Sequence, residues 1–550
     1  MTGLLLRGQH TPVTAADAEA FRAAGWWPGT PIRALLSDAA ARHPDRVALV
    51  GHRPGREPVR QTYRAFDLAA TRVASALHAL GVGEGDVVAL MLPNSVEYGA
   101  LVFGISEVGA VYTGIPVSYG ERQVVPILRR SRAVALIIPR RWRTTDHLAL
   151  VRGLRADLPS LRHVVVVGDD FEAGPGEHLW DDFVDVPLAA FPPREPGELC
   201  YFGFTSGTTG EPKGAMHTHD TLLYAVKGLA DHLGPGTFGD PMVQLVASPA
   251  GHHSGFVWGI LFTAYLAGTG VHVDHWDPGW CAEVVRAEGI TAFFGAPTFL
   301  QDMLRTDLAD DPDCPFRCLV VAGSPVPRTL PAKAGRALGA YIAPAWGMTE
   351  CSIMTSATPL EDDDVQHTDG SVFPGSQVRV VDDEGRAVPP GVTGELLMRG
   401  PGVIVGYYDR PDATDESFLP GLWFRTGDTA SLDEHGRLSL RGRTKDVIIR
   451  GGENIPVTEV ESLLFDHPDV LDAAVVGYSD ERLGERACAV LVARPGAVLE
   501  LPALCDYLLA GGLSKHYLPE RLVLLPELPT TQSGKIQKYR LRELVAGEGA

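Results

Sequence analysis

Residues 204–214 read Phe-Thr-Ser-Gly-Thr-Thr-Gly-Glu-Pro-Lys-Gly, a hydroxyl- and glycine-rich run closed by one lysine. Gly207, Gly210 and Gly214 permit backbone conformations that turn successive N–H groups toward one point. Thr205, Ser206, Thr208 and Thr209 add hydroxyl donors, and Lys213 adds a mobile positive charge. Together these residues predict a phosphate cradle. It is not the usual nucleotide loop, which needs Gly-Lys-Ser/Thr, because Pro212 precedes the lysine and Gly214 follows it.

Further along the chain, other runs supply the remaining parts of a nucleotide site. Ala345-Trp346-Gly347-Met348-Thr349-Glu350 sets a hydroxyl beside a carboxylate. Trp423-Phe424-Arg425-Thr426-Gly427-Asp428 reads as an aspartate on a turn, suited to accept from paired ribose hydroxyls. Gly442-Arg443-Thr444-Lys445-Asp446 reads as a charged turn between domains, and Ser533-Gly534-Lys535-Ile536-Gln537-Lys538 places a lysine on a glycine-containing loop. His217 and His219 form a His-x-His pair with no third ligand in view, which disfavours a metal site there.

The elements that must position these residues read as α/β. Strand-like runs at Val87–Leu92, Val134–Ile138, His163–Val167 and Cys318–Ala322 alternate with helical stretches at Phe66–Leu80 and Trp280–Glu288. The uncharged stretch Gly255–Val273 is interrupted by Gly259, Thr263, Tyr265, Gly268 and Gly270, so it predicts a buried helix running into a strand, not a membrane span. At 550 residues the chain exceeds one hydrophobic core. After Gly436 a compact unit follows: strands at Leu438–Leu440 and Val447–Arg450, a helix after Pro456 with Val457, Val460, Leu463 and Leu464 on its apolar face, strands at Asp472–Val476 and Ala487–Ala493, and a helix near Leu501–Leu509. A net charge of −20 argues against coating nucleic acid or binding an anionic membrane, since such surfaces need clustered Lys and Arg. Seven scattered cysteines without a Cys-x-x-Cys pair, and an N-terminus with too short an apolar run for a signal peptide, point to a cytoplasmic protein with reduced thiols.

In order and wording these motifs resemble the adenylate-forming superfamily of acyl-CoA synthetases, peptide-synthetase adenylation domains and firefly-type luciferases. The resemblance runs from Tyr63 and Leu92-Pro93-Asn94 to Lys535 and is closest to ligases for alicyclic and medium-chain carboxylic acids, of the cyclohexanecarboxylate-CoA ligase type. It implies a large, multi-subdomain N-terminal α/β domain over residues 1–443, a hinge at 444–446 and a small mobile α+β domain over 447–550. It implies ATP, Mg²⁺ and coenzyme A as cofactors and a carboxylic acid as substrate, with a homodimer and a separate carrier protein as compatible partners. Thr205, Ser206, Gly207, Thr208, Thr209, Gly210 and Lys213 would hold the β- and γ-phosphates. Thr349 would contact the α-phosphate and Glu350 would hold Mg²⁺. Asp428 and Arg443 would bind the ribose, Gly323, Ser324 and Pro325 would lie along the adenine or the acyl chain, and Trp346, Gly347 and Met348 would lie along the nucleotide. Lys535, cationic at neutral pH with an ordinary pKa of about 10.4, would bridge the acid and the α-phosphate. Lys445 would be the hinge, and Gly451 and Gly452 would let a pantetheine arm pass. Trp346 stands where relatives commonly carry Tyr, which removes any contact made by that hydroxyl, and Thr530 stands where relatives often carry Arg or Lys.

By the same resemblance His252 gates the acid pocket, to which Gly255, Phe256, Phe294, Gly295 and Ala296 are also assigned. Peptide-synthetase domains place an aspartate in the segment corresponding to Pro249–Gly255 to pair the substrate ammonium, and this chain has none there. Small residues at Gly251, Ser254, Gly255, Gly295, Ala296 and Gly323 predict open volume, with Phe256, Trp258, Phe293, Phe294 and Phe299 as apolar walls. These residues predict a bulky, mostly apolar acid, and the resemblance implies that it is activated through an acyl-AMP and passed to CoA. The alternatives are transfer to a carrier protein, thioesterification of a supplied adenylate alone, oxidation of the adenylate, and a silent binding module.

Overall fold

The computed structural model describes residues 4, 6–206, 212–234, 236–443, 448–450, 453–480 and 482–547. Two large sheets carry most of the chain. Among the described residues, one runs in the spatial order Pro212–Thr218, Leu199–Ser206, Val111–Gly114, Val87–Leu90, Ala135–Pro139, His163–Val167 and Glu177–Leu179. The other has at its centre the parallel strands Tyr341–Met348, Cys318–Val321, Ala292–Gly295, Val243–Val246 and Thr269–Val273. The near-continuous Val/Leu/Ile character of strands such as Val87–Leu90 and Cys318–Val321 follows from burial on both faces.

Helices fill the space beside these sheets. Tyr63–Ala79 is capped by Thr62, whose hydroxyl accepts from the Ala65 amide, and it buries Phe66, Ala70, Val73, Ala74 and Leu77 at helical spacing. Its partner Val96–Val108 is buried almost all round and ends at Gly109 in the left-handed region (φ 83°). The uncharged stretch after Gly255 forms a π-helix, Gly255–Leu261, that continues as the helix Phe262–Tyr265 and the strand Thr269–Val273, in agreement with its reading as buried structure. Among the described residues no helix is long and apolar enough to cross a membrane.

A third sheet joins Gln377–Val381, Gly394–Arg399, Trp423–Leu432 and Phe418–Leu419, with Leu438–Arg443 paired to Trp423–Leu432. This sheet corrects the reading of Asp428 and Arg443 as turn residues. Thr-Gly-Asp has the composition of a turn, but the alternation of buried Phe424, Thr426, Asp428 and Ala430 persists through it, so Asp428 stays on the inner face of a strand. Arg443 ends the neighbouring strand and is its register partner.

The final segment builds its own antiparallel core from Val470–Asp480 and Gly484–Ala493, covered by the helices Val457–Phe465 and Leu501–Ala510. Pro456 sits at the N-cap of the first of these, one position before the helix, and Val457, Val460 and Leu464 are its buried residues. The strand Arg521–Leu524 pairs in parallel with Gly484–Ala493, and the loop carrying Lys535 lies between it and the helix Lys538–Gly547.

Candidate functional site

In an open parallel sheet, ligands bind beyond the carboxyl ends of the strands. Four such ends converge here. Val243–Val246 leads to Ser248–Ser254, Ala292–Gly295 to Ala296, Cys318–Val321 to Gly323–Pro325, and Tyr341–Met348 to Thr349 and Glu350. The second large sheet meets them through Asn94, whose side-chain amide donates to the Val246 and Ser248 carbonyls (3.0 and 3.1 Å) and accepts from the Ala250 amide (2.7 Å). With three bonds made, this buried amide fixes the turn that presents His252 and His253.

The phosphate-loop region is a hairpin. Leu199–Ser206 and Pro212–Thr218 are antiparallel, with Thr205 opposite Lys213 and Ser206 opposite Pro212. Gly207, Thr208, Thr209 and Gly210 lie outside the described residues, as do Lys445, Gly451, Gly452 and the side chain of Ser206. The stem sets Thr205 and Lys213 opposite one another at its described end. Thr205 Oγ1 donates to Glu350 Oε1 (3.3 Å), which also accepts from Tyr407 Oη (3.1 Å). Burial raises the Glu350 pKa, opposed by the Tyr407 and Thr205 hydroxyls and the Arg443 charge. Thr349 is held through its carbonyl by His217 Nε2 at 2.8 Å. Gly347 has no alternative: a Cβ there would lie 2.0 Å from the Ser352 carbonyl oxygen, at a register shift between Trp346 and Gly347.

On the third sheet, Asp428 is only 3% exposed and accepts from Arg443 Nε through Oδ1 (3.1 Å) and from Trp346 Nε1 through Oδ2 (2.9 Å). Burial raises its pKa, and the charges of Arg443 and Lys535 and the indole N–H oppose that rise. The indole thus brings to this position a donor that a tyrosine hydroxyl would have to supply by other geometry. Gly323 has φ +94° and open space where a Cβ would stand, leaving a clear face at a strand end.

Lys535 reaches the site from the small domain. Its loop docks through Gly534, whose carbonyl accepts from Thr298 Oγ1 (2.9 Å) and whose missing Cβ would lie 2.3 Å from that oxygen and 3.1 Å from the Ala296 Cβ. The Lys535 charge is close enough to depress the pKa of both His252 and Asp428. His252 is exposed and bonds Ser254 Oγ through Nδ1 (3.0 Å), and partial loss of hydration together with the Lys535 charge lowers its pKa. His217 is lowered to about 4 by burial. His253 is lowered further, again by burial first. All three imidazoles are therefore neutral at pH 7. His217 and His219 bond Thr349, Thr221 and the Ile32 amide, and no group of metal ligands forms among the described residues.

The expected acid pocket needs correction. His252 lines a narrow cavity of about 20 Å³ with Tyr119, Tyr201, Phe204, Gly251 and His253. The other assigned residues pack elsewhere. Phe256 is fully buried against Tyr112 and Tyr201 (ring centroids 4.9 and 4.6 Å apart), and Phe294 stacks on Trp258 at 6.0 Å. Gly251, Gly255 and Gly295 do not leave volume either, although Gly323 does. A Cβ at Gly255 would lie 2.2 Å from the Pro249 carbonyl oxygen, at Gly251 2.6 Å from the Ile115 oxygen, and at Gly295 2.5 Å from the Phe293 ring. They are small because backbone and rings already occupy the space, a distinction that composition does not encode. Ala296 belongs to the seat of the Lys535 loop.

Tyr407 and Asn94 are the contributions that residue types alone did not assign. Asn94 was visible only as one word of a motif, and Tyr407 sits 57 residues from its partner Glu350.

The chain matches the model of the AMP-binding enzyme family over residues 36–408 and that of the AMP-binding enzyme C-terminal domain over 459–535. A medium-chain fatty-acid–CoA ligase of Escherichia coli (strain K12) is 32% identical over 550 residues, 98% of this chain and 95% of the relative. A salicyl-AMP ligase / salicyl-S-ArCP synthetase of Mycobacterium tuberculosis is 33% identical over 540 residues, 96% of this chain and 94% of the relative. Among solved structures, an anthranilate CoA ligase in complex with anthranoyl-AMP superposes with a TM-score of 0.85 at 26% identity, covering 94% of this chain and 97% of that one.

Proposed function

The chain belongs to the AMP-binding enzymes, and on that premise we propose that it joins a carboxylic acid lacking an α-amino group to coenzyme A through an acyl-adenylate. It is an ATP-dependent, AMP-forming ligase. The acid is bulky and mostly apolar: alicyclic, polycyclic or medium-chain. Ile127, Tyr201 and Phe204 supply apolar walls to the cavity beside His252, and no carboxylate lines it to pair an ammonium. A volume of about 20 Å³ admits little more than one water, so such an acid enters only when these rings part.

A carboxylate is a poor acyl donor because its leaving group would be oxide. In the first step a carboxylate oxygen attacks the α-phosphorus of ATP, the bond to the bridging oxygen breaks, and pyrophosphate leaves. In the second, the CoA sulfur attacks the acyl carbon, AMP departs with the bonding pair, and the thiol proton passes to solvent. The first step sets an anion against a polyanion, so charge must be neutralised along the path. Lys535 would bridge the two reactants, Lys213 and Thr205 would hold the leaving phosphates, and Thr349 would contact the α-phosphate. Asp428 and Arg443 would anchor the ribose. The buried Glu350 carboxylate, with neighbouring hydroxyls and phosphate oxygens, fits a hard cation, and Mg²⁺ held there would offset phosphate charge. Lys445 as hinge and Gly451–Gly452 as the pantetheine passage belong to the same reading.

The observation that carries it is the meeting of Thr205, Lys213, Thr349, Glu350, Asp428 and Arg443 at converging strand ends, with Lys535 brought to them from the second domain. Pyrophosphate release is to be measured with a panel of acids, with and without CoA. Acid-dependent pyrophosphate and a thioester are expected. Acid-dependent pyrophosphate without thioester on CoA sinks the ligase reading and leaves the carrier-thiol reading that the salicyl-S-ArCP synthetase relative favours.

A further inference from the structure

Tyr407 lies in a segment bound edgewise to the strand that carries Lys213. The Met216 amide donates to the Gly406 carbonyl (2.9 Å), the Val405 amide to the Met216 carbonyl (3.0 Å) and the Tyr408 amide to the Gly214 carbonyl (2.8 Å). The same segment grips Glu350, whose carbonyl accepts from the Ile404 amide at 2.9 Å. The Tyr407 amide is itself satisfied by Thr414 Oγ1 (2.9 Å), so the residue is pinned at its backbone and 95% buried (5% exposed).

From that fixed point its side chain touches two groups of opposite charge by two different means. The phenol donates to Glu350 Oε1 (3.1 Å), and the ring carries the Lys213 ammonium 5.2 Å from its centroid. A phenol carries its proton at neutral pH and so stands as a donor to the carboxylate. A direct pair between such a carboxylate and ammonium would quench both charges. Instead the carboxylate is met by the hydroxyls of Thr205 and Tyr407, and the ammonium by a ring face.

We propose that Tyr407 is a positioning residue for the magnesium nucleotide: its hydroxyl aims Glu350, its ring holds Lys213, and it keeps the two charges apart and available. This rests on the function proposed above. It makes the two arms separable. Tyr407→Phe removes the hydroxyl and keeps the ring; Tyr407→Leu removes both.

The test is equilibrium binding of ATP by calorimetry, with Mg²⁺ and with a chelator in its place, on the folded full-length variants. For Tyr407→Phe, MgATP affinity is expected to fall about tenfold, the loss of one hydrogen bond to a charged group, while metal-free ATP binds as to the parent. Tyr407→Leu should additionally weaken metal-free ATP by roughly two- to fivefold, the size of a cation–π contact. Parent-like MgATP binding by Tyr407→Phe overturns the proposal. So does an equal loss with and without metal, which marks a role in the fold alone. Should Tyr407→Leu fail to fold, Tyr407→Phe decides by itself. A parent enzyme without acid-dependent pyrophosphate release overturns the proposed function instead, which is a separate result.

Discussion

Replacing Trp346 by Phe isolates one hydrogen bond at the ribose end of the site. The benzene ring keeps an aromatic surface and loses the N–H that donates to Asp428 Oδ2 at 2.9 Å. Asp428 is buried, and its other oxygen accepts from Arg443 Nε at 3.1 Å. A hydrogen bond to a charged group contributes about 1.5–3 kcal/mol. Part of this is recovered when ribose hydroxyls or water reach the freed oxygen, so the lower end is the better figure for the nucleotide complex. About 1.4 kcal/mol corresponds to a tenfold rise in the KM for ATP, with kcat less affected because the contact forms before the chemical step. ATP–pyrophosphate exchange gives both constants. The sharper measurement compares ATP with 2′-deoxy-ATP in parent and variant. If Trp346 acts by aiming Asp428 at the ribose, the penalty for the missing hydroxyl shrinks in Trp346→Phe, because the two losses share one carboxylate. Equal penalties in parent and variant, or an unchanged KM, would refute this reasoning.

Lys535→Ala is expected to abolish acid-dependent pyrophosphate release while largely sparing thioester formation from a supplied acyl-adenylate; equal loss of both in a rapid-quench comparison contradicts its assigned role. Gly255→Ala forces a Cβ to within 2.2 Å of the Pro249 oxygen, and overpacking of this kind costs about 1–3 kcal/mol, to be seen as a lower denaturation midpoint; a parent-like midpoint would show that the turn yields. Asp472 predicts a pH-dependent domain pose. In the docked arrangement burial is the main cause raising its pKa to about 6, with Asp302 adding to the rise and Arg305 opposing it, and Arg305 also bonds the Leu471 carbonyl. Undocked, it returns to an ordinary value near ~3.9. The docked pose then binds more protons, so it is favoured fully below about pH 4 and loses that advantage as pH rises through 6. Fluorescence energy transfer between the domains should show docking increase on acidification across that window, and Asp472→Asn should flatten the curve.

Much of the site was legible because its chemistry is carried by short, ordered words of sequence. Thr205 and Lys213 stood out by residue type and spacing, whereas Thr349, Glu350, Asp428, Arg443 and Lys535 took their expected roles from the family resemblance, and Asp428 and Arg443 were read as turn residues but stand on strands. Thr-Gly-Asp satisfies turn chemistry locally, and only pairing with Leu438–Arg443 keeps it extended. The acid pocket was the least legible part. A glycine required by backbone crowding and a glycine that opens a cavity look identical in sequence, and the difference is made by Ile115, far along the chain, by Pro249 across a turn and by the Phe293 ring two residues back on the same strand. Tyr407 was invisible for the same reason: its meaning comes from Glu350 and Lys213 together, and neither is near it in the chain.

The distribution of the site among the sheets also bears on how one cavity could serve two reactions. Thr205 and Lys213 stand on one sheet, Thr349 and Glu350 at the end of a second, and Asp428 and Arg443 on a third. These are tied to one another by Glu350, Tyr407 and the Trp346–Asp428 bond, none of which involves the small domain. Lys535 is held differently, by a loop whose described anchors on the large domain include one hydrogen bond, Thr298 to Gly534, and a close fit at Ala296. Withdrawing that loop leaves the bonds among the three sheets in place. Under the proposed function, that asymmetry is what the second step needs: the adenylate stays bound by the sheets while the lysine that promoted its formation departs and clears the path for the thiol.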